Sequence, residues 1–353
     1  MGRNGRGRSA VEQHEITQAG PLLDEAGNLR EPGYAKRLLP IYSRHQIKVS
    51  ALRVKEWDYY LVMNGQFALA LTIADNGYMG LDSISLLDFW ENTQITKSPM
   101  RLMPLGSTGM PSSTLEGDSA SGGRGYSLLF RREEDQRVLY AHMDGFRDRE
   151  SLDAHIVLTG EPEESMVICT PFDKPGHFYF NQKINCLRAK GKVTVGEDEY
   201  MLDPADSFGV LDWGRGVWTY HNTWYWASAS GLLDGIPFGF NLGYGFGNTS
   251  AATENMLFYD GRAHKLSKVR FRIPGRRRRR RYMDQWEFTS DDGRFEMRFD
   301  PIMDRSSHAG AGIVQSNQHQ IFGKFTGLAL LDDGTELFIK DFLGFAEEVE
   351  NKW

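Results

Sequence analysis

The chain is predicted to be all-β: two lipocalin-like antiparallel β lobes, barrels or sandwiches, packed together with few short helices. Three observations carry that expectation. Short runs of β-branched and aromatic residues recur along most of the chain, separated by turn dipeptides and without intervening amphipathic helical patterns. Several of the dipeptides, Asn64-Gly65, Asp260-Gly261, Asp292-Gly293 and Asp333-Gly334, are hairpin signals. The length of 353 residues exceeds one ordinary core, so two lobes are expected.

Residues 1–44 are polar and broken by Gly20-Pro21, Gly27-Asn28 and Pro32-Gly33, which reads as an extended arm across the outside. The first lobe is expected over 45–200, beginning with β runs at Ile47–Val54, Tyr59–Met63, Phe67–Ile73 and Ile84–Phe89. Between Pro104 and Gly125 serine and glycine dominate, so this stretch is expected to bury little and to form a mobile loop, either a lid or a plain surface insertion. The second lobe is expected over 201–353, where Phe295–Phe299 alternates residue by residue and Phe322–Leu331 and Leu337–Phe345 are long apolar runs. Arg276–Arg281 follows Pro274-Gly275 and reads as a solvated hairpin tip.

A formal charge of -6 argues against a dedicated nucleic-acid binder, and one arginine loop does not reverse that. Arginines near the N-terminus are not followed by the apolar run of a signal peptide. No stretch of about 18 apolar residues provides an integral membrane segment, so a cytoplasmic protein is expected. Cys169 and Cys186 are too few for a disulfide framework and read as buried thiols. Zinc and serine-hydrolase motifs are missing, and Gly243–Gly247 lacks dinucleotide spacing. Neither metal nor cofactor is expected, and nothing in the sequence speaks to oligomeric state.

Half of the eight tryptophans fall between Leu211 and Ser228. Indoles are bulky and rigid, so Trp213, Trp218, Trp224 and Trp226 either plug a core or wall a ligand cavity. On a strand Trp224 and Trp226 share a face and Tyr225 takes the other. Asp212 is the candidate acid, because aromatic surroundings desolvate a carboxylate and raise its pKa. An ion pair with Arg215 would instead make it structural. Gln182, Lys183, Asp304, Arg305, His319 and Gln320 are candidate polar groups for the cavity, each with a packing or salt-bridge alternative. Glu347 follows the Phe342–Phe345 run and is placed as a carboxylate partner for Asp212.

With Asp212-Trp213-Gly214-Arg215-Gly216, Trp226-Ala227-Ser228, His319-Gln320-Ile321-Phe322-Gly323 and the ending from Gly344 to Trp353, the chain resembles a family catalogued as domain of unknown function two thousand eight hundred and four. The resemblance runs from about residue 20 to the end, and the arginine block departs from it. More distantly, the chain is similar to tandem-lipocalin proteins of the carotenoid hydratase, tocopherol cyclase and Diels-Alderase kind. That resemblance implies two β lobes holding an apolar ligand between or inside them. The function expected is binding of a lipid or terpenoid-like small molecule, with acid-catalysed hydration, isomerisation or cyclisation. A non-catalytic lipid carrier and a carbohydrate-active or carbohydrate-binding protein are the alternatives. The last would call for an open groove with two carboxyl groups about 5 to 10 Å apart.

Overall fold

The computed structural model describes residues 12–277, 279–311 and 314–352; residues 1–11 of the expected arm, Arg278 of the arginine block and Trp353 lie outside the described residues. The described chain is all-β, and its only helices are two single 3-10 turns, Arg44–Gln46 and Ala51–Arg53. No helix among the described residues is long and apolar enough to cross a membrane.

Two large curled sheets account for nearly all strands. The first has 14 strands, with Val54–Met63, Phe208–Val217 and Phe178–Val195 side by side at its centre. Its path ends at Ser119–Gly123, which curls back towards Met79–Asp88: Ser121 Oγ and Tyr126 OH both donate to Asp82, at 2.6 and 3.0 Å. The curl encloses a core that includes Phe67, Leu69, Phe146, Phe178, Phe180 and Trp213. The second sheet has nine strands running from Arg262–Lys265 to Val269–Arg272, with His221–Leu233, Glu336–Lys352 and Val314–Leu330 central. It too bends around its own core, which includes Phe238, Phe240, Trp286, Phe288 and Phe325. The chain changes sheets between Val217 and His221, downstream of the boundary expected at residue 200.

The outer faces of the two curls meet in a seam. Tyr59, Leu61, Ala68, Ala70 and Val210 of the first sheet pack on Trp226, Met303, Phe322 and Phe345 of the second. Small side chains at 68 and 70 let the backbones approach, and each large apolar group buried there contributes about 1.5–3 kcal/mol. Because both sheet faces are covered, the central strand Phe208–Val217 is buried at every residue. Its sequence therefore reads as continuous rather than alternating.

The turn dipeptides act as local chemistry dictates. Asp260 and Gly261 both take positive φ, 49° and 76°, and close a two-residue hairpin between Tyr259 and Arg262. Gly275–Arg276 pairs with Arg279–Arg280, so the arginine block is a hairpin tip.

Two expectations are corrected. Residues 12–44 cross the outside with many side chains exposed, but they are part of the folded unit rather than an arm: Ile16, Leu22, Leu23 and Tyr42 are buried in the first core, and Gly33–Ala35 joins the first sheet. The same segment straps onto the second half, with Gln13 Oε1 accepting from Thr253 N at 2.8 Å. The Pro104–Gly125 stretch is likewise not free, since Met110 and Thr114 are buried and Ser119–Gly123 is a strand. Its polar residues bond to the lobe interior, which hydropathy alone does not register. Both cysteines are free and buried.

Candidate functional site

Strand alternation deals the residues of Phe208–Val217 to two different places. Leu211, Trp213 and Val217 enter the first core, whereas Val210 and Asp212 face the seam. Gly214 lies on the seam side as well, and a Cβ there would sit 1.9 Å from the Trp57 ring. Glycine at 214 thus makes room for Trp57, which stacks on Tyr179 at 6.2 Å.

Asp212 stands opposite Lys183 on one neighbouring strand and Tyr59 on the other. Its Oδ1 receives Lys183 Nζ at 3.0 Å and Asn181 Nδ2 at 2.6 Å. Lys183 Nζ also sits 4.1 Å from the centre of the Trp226 ring, a cation over an aromatic face. From the second sheet, Trp226 stands opposite Glu347, which stands opposite Gln320. Trp224 Nε1 donates to Glu347 Oε1 at 3.0 Å, and Gln320 Nε2 donates to Oε2 at 3.2 Å. Gln320 also donates to Tyr59 OH at 3.2 Å and accepts from Arg305 Nη1 at 2.8 Å. The Tyr59–Gln320–Glu347 bonds join both sheets, and the Asp212–Lys183 pair meets them through the Trp226 ring.

The electrostatics follow from burial. Removal from water raises Glu347 to about 7, and the charge of Asp212 adds to this; the Trp224 hydrogen bond, Lys183 and Arg305 act against it. Burial also raises Glu254, opposed by Lys183 and reinforced by Asp212. Burial pushes Tyr59 up to about 12. Lys183 acts on three carboxylates, Asp212, Glu254 and Glu347, with Lys265 adding to it at Glu254 and Arg305 at Glu347; at Glu347 burial outweighs both cations, and a carboxyl group holding its proton near neutral pH is the consequence. One atom of the network is unsatisfied: Asn181 Oδ1, fully buried beside Asp212, has no partner. The arrangement can therefore deliver a proton and offer aromatic faces to a cation.

The structure brings Asp212, Lys183, Trp224, Trp226, Arg305, Gln320 and Glu347 together, and it separates the rest. Asp212 does not pair with Arg215. The two are three residues apart on a strand and point to opposite faces, and Arg215 bonds instead to Asp58 at 3.0 Å and to the Trp57 and Pro111 carbonyls. Trp213 leaves the expected wall by the same rule and packs edge-on against Tyr42 and Phe180 inside the first lobe. Gln182 also faces that interior, bonded to Thr114 and Ser165. Asp304 and His319 pair with each other at 2.8 Å, with His319 stacked on Tyr282, on the face of the second sheet opposite Gln320. Trp218 stays at the seam, edge-on to Trp57, Trp224 and Phe246.

A pocket with room of about 20 Å³ sits inside the first lobe, and of the tryptophans only Trp213 lines it. At the seam the indoles pack against neighbouring rings, as Trp226 does on Phe345 at 4.7 Å. Among the described residues no cluster of three His, Cys, Asp or Glu could hold a metal ion. Sequence reasoning missed Tyr59, Glu254 and Asn241, which accepts from Trp226 Nε1 at 2.7 Å. A charged residue inside the otherwise uncharged run Ala251–Met256 is the only local sign of Glu254.

Comparison with known proteins places this geometry in context. The model of a family described as Domain of unknown function (DUF2804) matches residues 13–353. No curated protein matches the sequence. Among solved structures, a candidate AttH from Nitrosomonas europaea is similar at 12% identity and TM-score 0.52, covering 85% of this chain and 92% of that one. Kievitone hydratase from Nectria haematococca aligns at 12% identity and TM-score 0.47, over 95% of this chain and 98% of its own. CghA with Sch210972 aligns at 13% identity and TM-score 0.48, over 95% and 97%. At these identities the first of the three shows a shared fold and no more.

Proposed function

Taking as premise that the chain belongs to the DUF2804 family, we propose that it binds an apolar small molecule of lipid or terpenoid type at the seam and acts on it by acid catalysis. The reaction class is hydration, isomerisation or cyclisation. The carrying observation is Glu347: fully buried, raised to about 7, and held by Trp224 and Gln320 among aromatic rings. Its proton passes to an alkene carbon, and the faces of Trp224, Trp226 and Tyr59 stabilise the resulting cation. The Glu347 carboxylate left behind is steadied by Lys183 and by Arg305 through Gln320. Water then adds and returns a proton to Glu347, or a neighbouring carbon gives its proton back, which completes hydration or isomerisation respectively. Asp212, paired with Lys183, keeps that lysine in place rather than donating the proton itself. Substrate entry parts the two sheets at the indole contacts.

The Asp212–Lys183 pair also favours a second reading, a carrier that holds a lipid without reacting it. Burial of Asp212 and Glu347 does not offer the open groove a glycan requires. The deciding experiment incubates the protein with a panel of prenyl alkenes in D2O and follows deuterium uptake by mass spectrometry. Catalysis gives uptake that Glu347→Gln abolishes while alkene binding persists. Binding without uptake in the wild type identifies the carrier.

A further inference from the structure

Inside the first lobe, away from the seam, a pocket is lined by Asp58, Tyr60, Thr114, Arg132, Arg137 and Trp213, among others. Two of its lining residues hold buried donors with nothing to bond: Trp213 Nε1 and Arg132 Nε. A buried N–H without an acceptor destabilises the fold, so two at one pocket ask for an acceptor.

The other polar groups there are already committed. Asp58 is bonded by Arg215 and Ser119. Thr114 donates to Gln182. Arg137 holds Glu161 through two bonds of 3.0 Å and also reaches the Thr114 carbonyl and Tyr60 OH. Arg132 lies 3.8 Å from Glu161, and Arg131 lies 3.4 Å from Asp118. Three guanidinium groups (Arg131, Arg132 and Arg137) and one carboxylate (Asp58) line the pocket; with their ion-pair partners Arg215, Asp118 and Glu161 outside it counted in, one positive charge is left over.

The roof is the serine- and glycine-rich stretch, whose Pro111 carbonyl accepts from Arg215 at 2.8 Å and whose Gly117 lies exposed at the rim. We propose that this pocket is a binding site for one carboxylate group, received by Trp213 Nε1 and Arg132 Nε beneath the 104–118 loop. Room of about 20 Å³ admits one oxygen-sized group, so a carboxylate enters oxygen first with its remainder towards the rim. A single excess positive charge suits a monoanion. The site is separate from the seam and does not depend on the reading given to Glu347.

Isothermal titration of the full-length chain with sodium acetate and sodium decanoate, in chloride-free buffer, tests it. One saturable site is expected for a carboxylate. Decanoate binding tighter than acetate identifies the head of an apolar acid, and equal binding identifies a small free acid. Arg132→Lys keeps the charge but removes Nε, and Trp213→Phe keeps a ring but removes Nε1; each should weaken binding by about tenfold or more. Arg132 Nη1 also donates to the Glu133 and Gln136 carbonyls, so Arg132→Lys should melt a little below wild type yet stay folded, as circular dichroism checks, which keeps the test valid if Trp213→Phe fails to fold. Absence of saturable binding to the wild type overturns the proposal. So does binding undiminished in both variants.

Discussion

The two faces of one strand, Phe208–Val217, carry similar ingredients and behave differently. Each has an aspartate and a cation over an indole: Arg215 over Trp213 with Asp58 on one side, Lys183 over Trp226 with Asp212 on the other. Inside the first lobe Arg215 is met by Asp58 and three backbone carbonyls, so its donors are used up on architecture. At the seam Lys183 has one aspartate to pair with and two further carboxyl groups within reach of its charge. What separates the two faces is how fully the carboxyl groups are paired, since Asp58 is met by Arg215 and Ser119 whereas Glu347 is bonded only by neutral donors, and tryptophan content does not distinguish them.

The largest effect should come from breaking the scaffold side. Arg215→Met strands Asp58 in the interior and frees three carbonyls, and it should cost roughly 3–5 kcal/mol in a urea melt. A loss below about 1 kcal/mol would show that the two faces do not differ as described.

Next comes Glu347. Its carboxyl rises from the ordinary 4.5 to about 7 on folding, so the folded state favours the protonated form. Stability from this group is present below pH 4.5 and is lost as pH rises towards 7 and beyond. The lost amount is roughly 3 kcal/mol at the high end. Glu347→Gln should therefore be more stable than wild type at about pH 8, with no gain at about pH 4. Melting curves at the two pH values check the sign.

Lys183→Met sharpens the contrast from the other partner. It removes the cation that lowers Glu347, so the midpoint of the pH-dependent stability loss should move upward, by about one pH unit. An unmoved midpoint would place control of the proton elsewhere. Smaller again is Gly214→Ala, whose Cβ would collide with the Trp57 ring and cost roughly 1–3 kcal/mol through repacking of the seam.

Much of the fold was legible in the sequence because its signals are local. Asp260-Gly261 announces its hairpin through two positive φ angles that few other pairs adopt. Period two alone places Trp224 and Trp226 on one face, as they are found at the seam. The partners of the candidate acids were not legible, because they are set by register between distant strands. Asp58 lies 157 positions from Arg215, and nothing near either residue names the other. With both faces of Phe208–Val217 buried, the pattern could not say which side was core and which was seam. The anchoring of residues 12–44 was hidden for a related reason: a few apolar side chains, Ile16, Leu22 and Leu23, are spaced among polar ones and reach the core without a strand pattern.

Difference infrared spectroscopy of wild type against Glu347→Gln reads the proton held at Glu347 directly. Titrated from about pH 4 to about pH 9, the wild type should show a protonated carboxyl band, missing in the variant, that disappears with a midpoint near 7. A Glu347 already ionised at about pH 5 would mean that no proton is stored there and leave the seam a joint between two sheets.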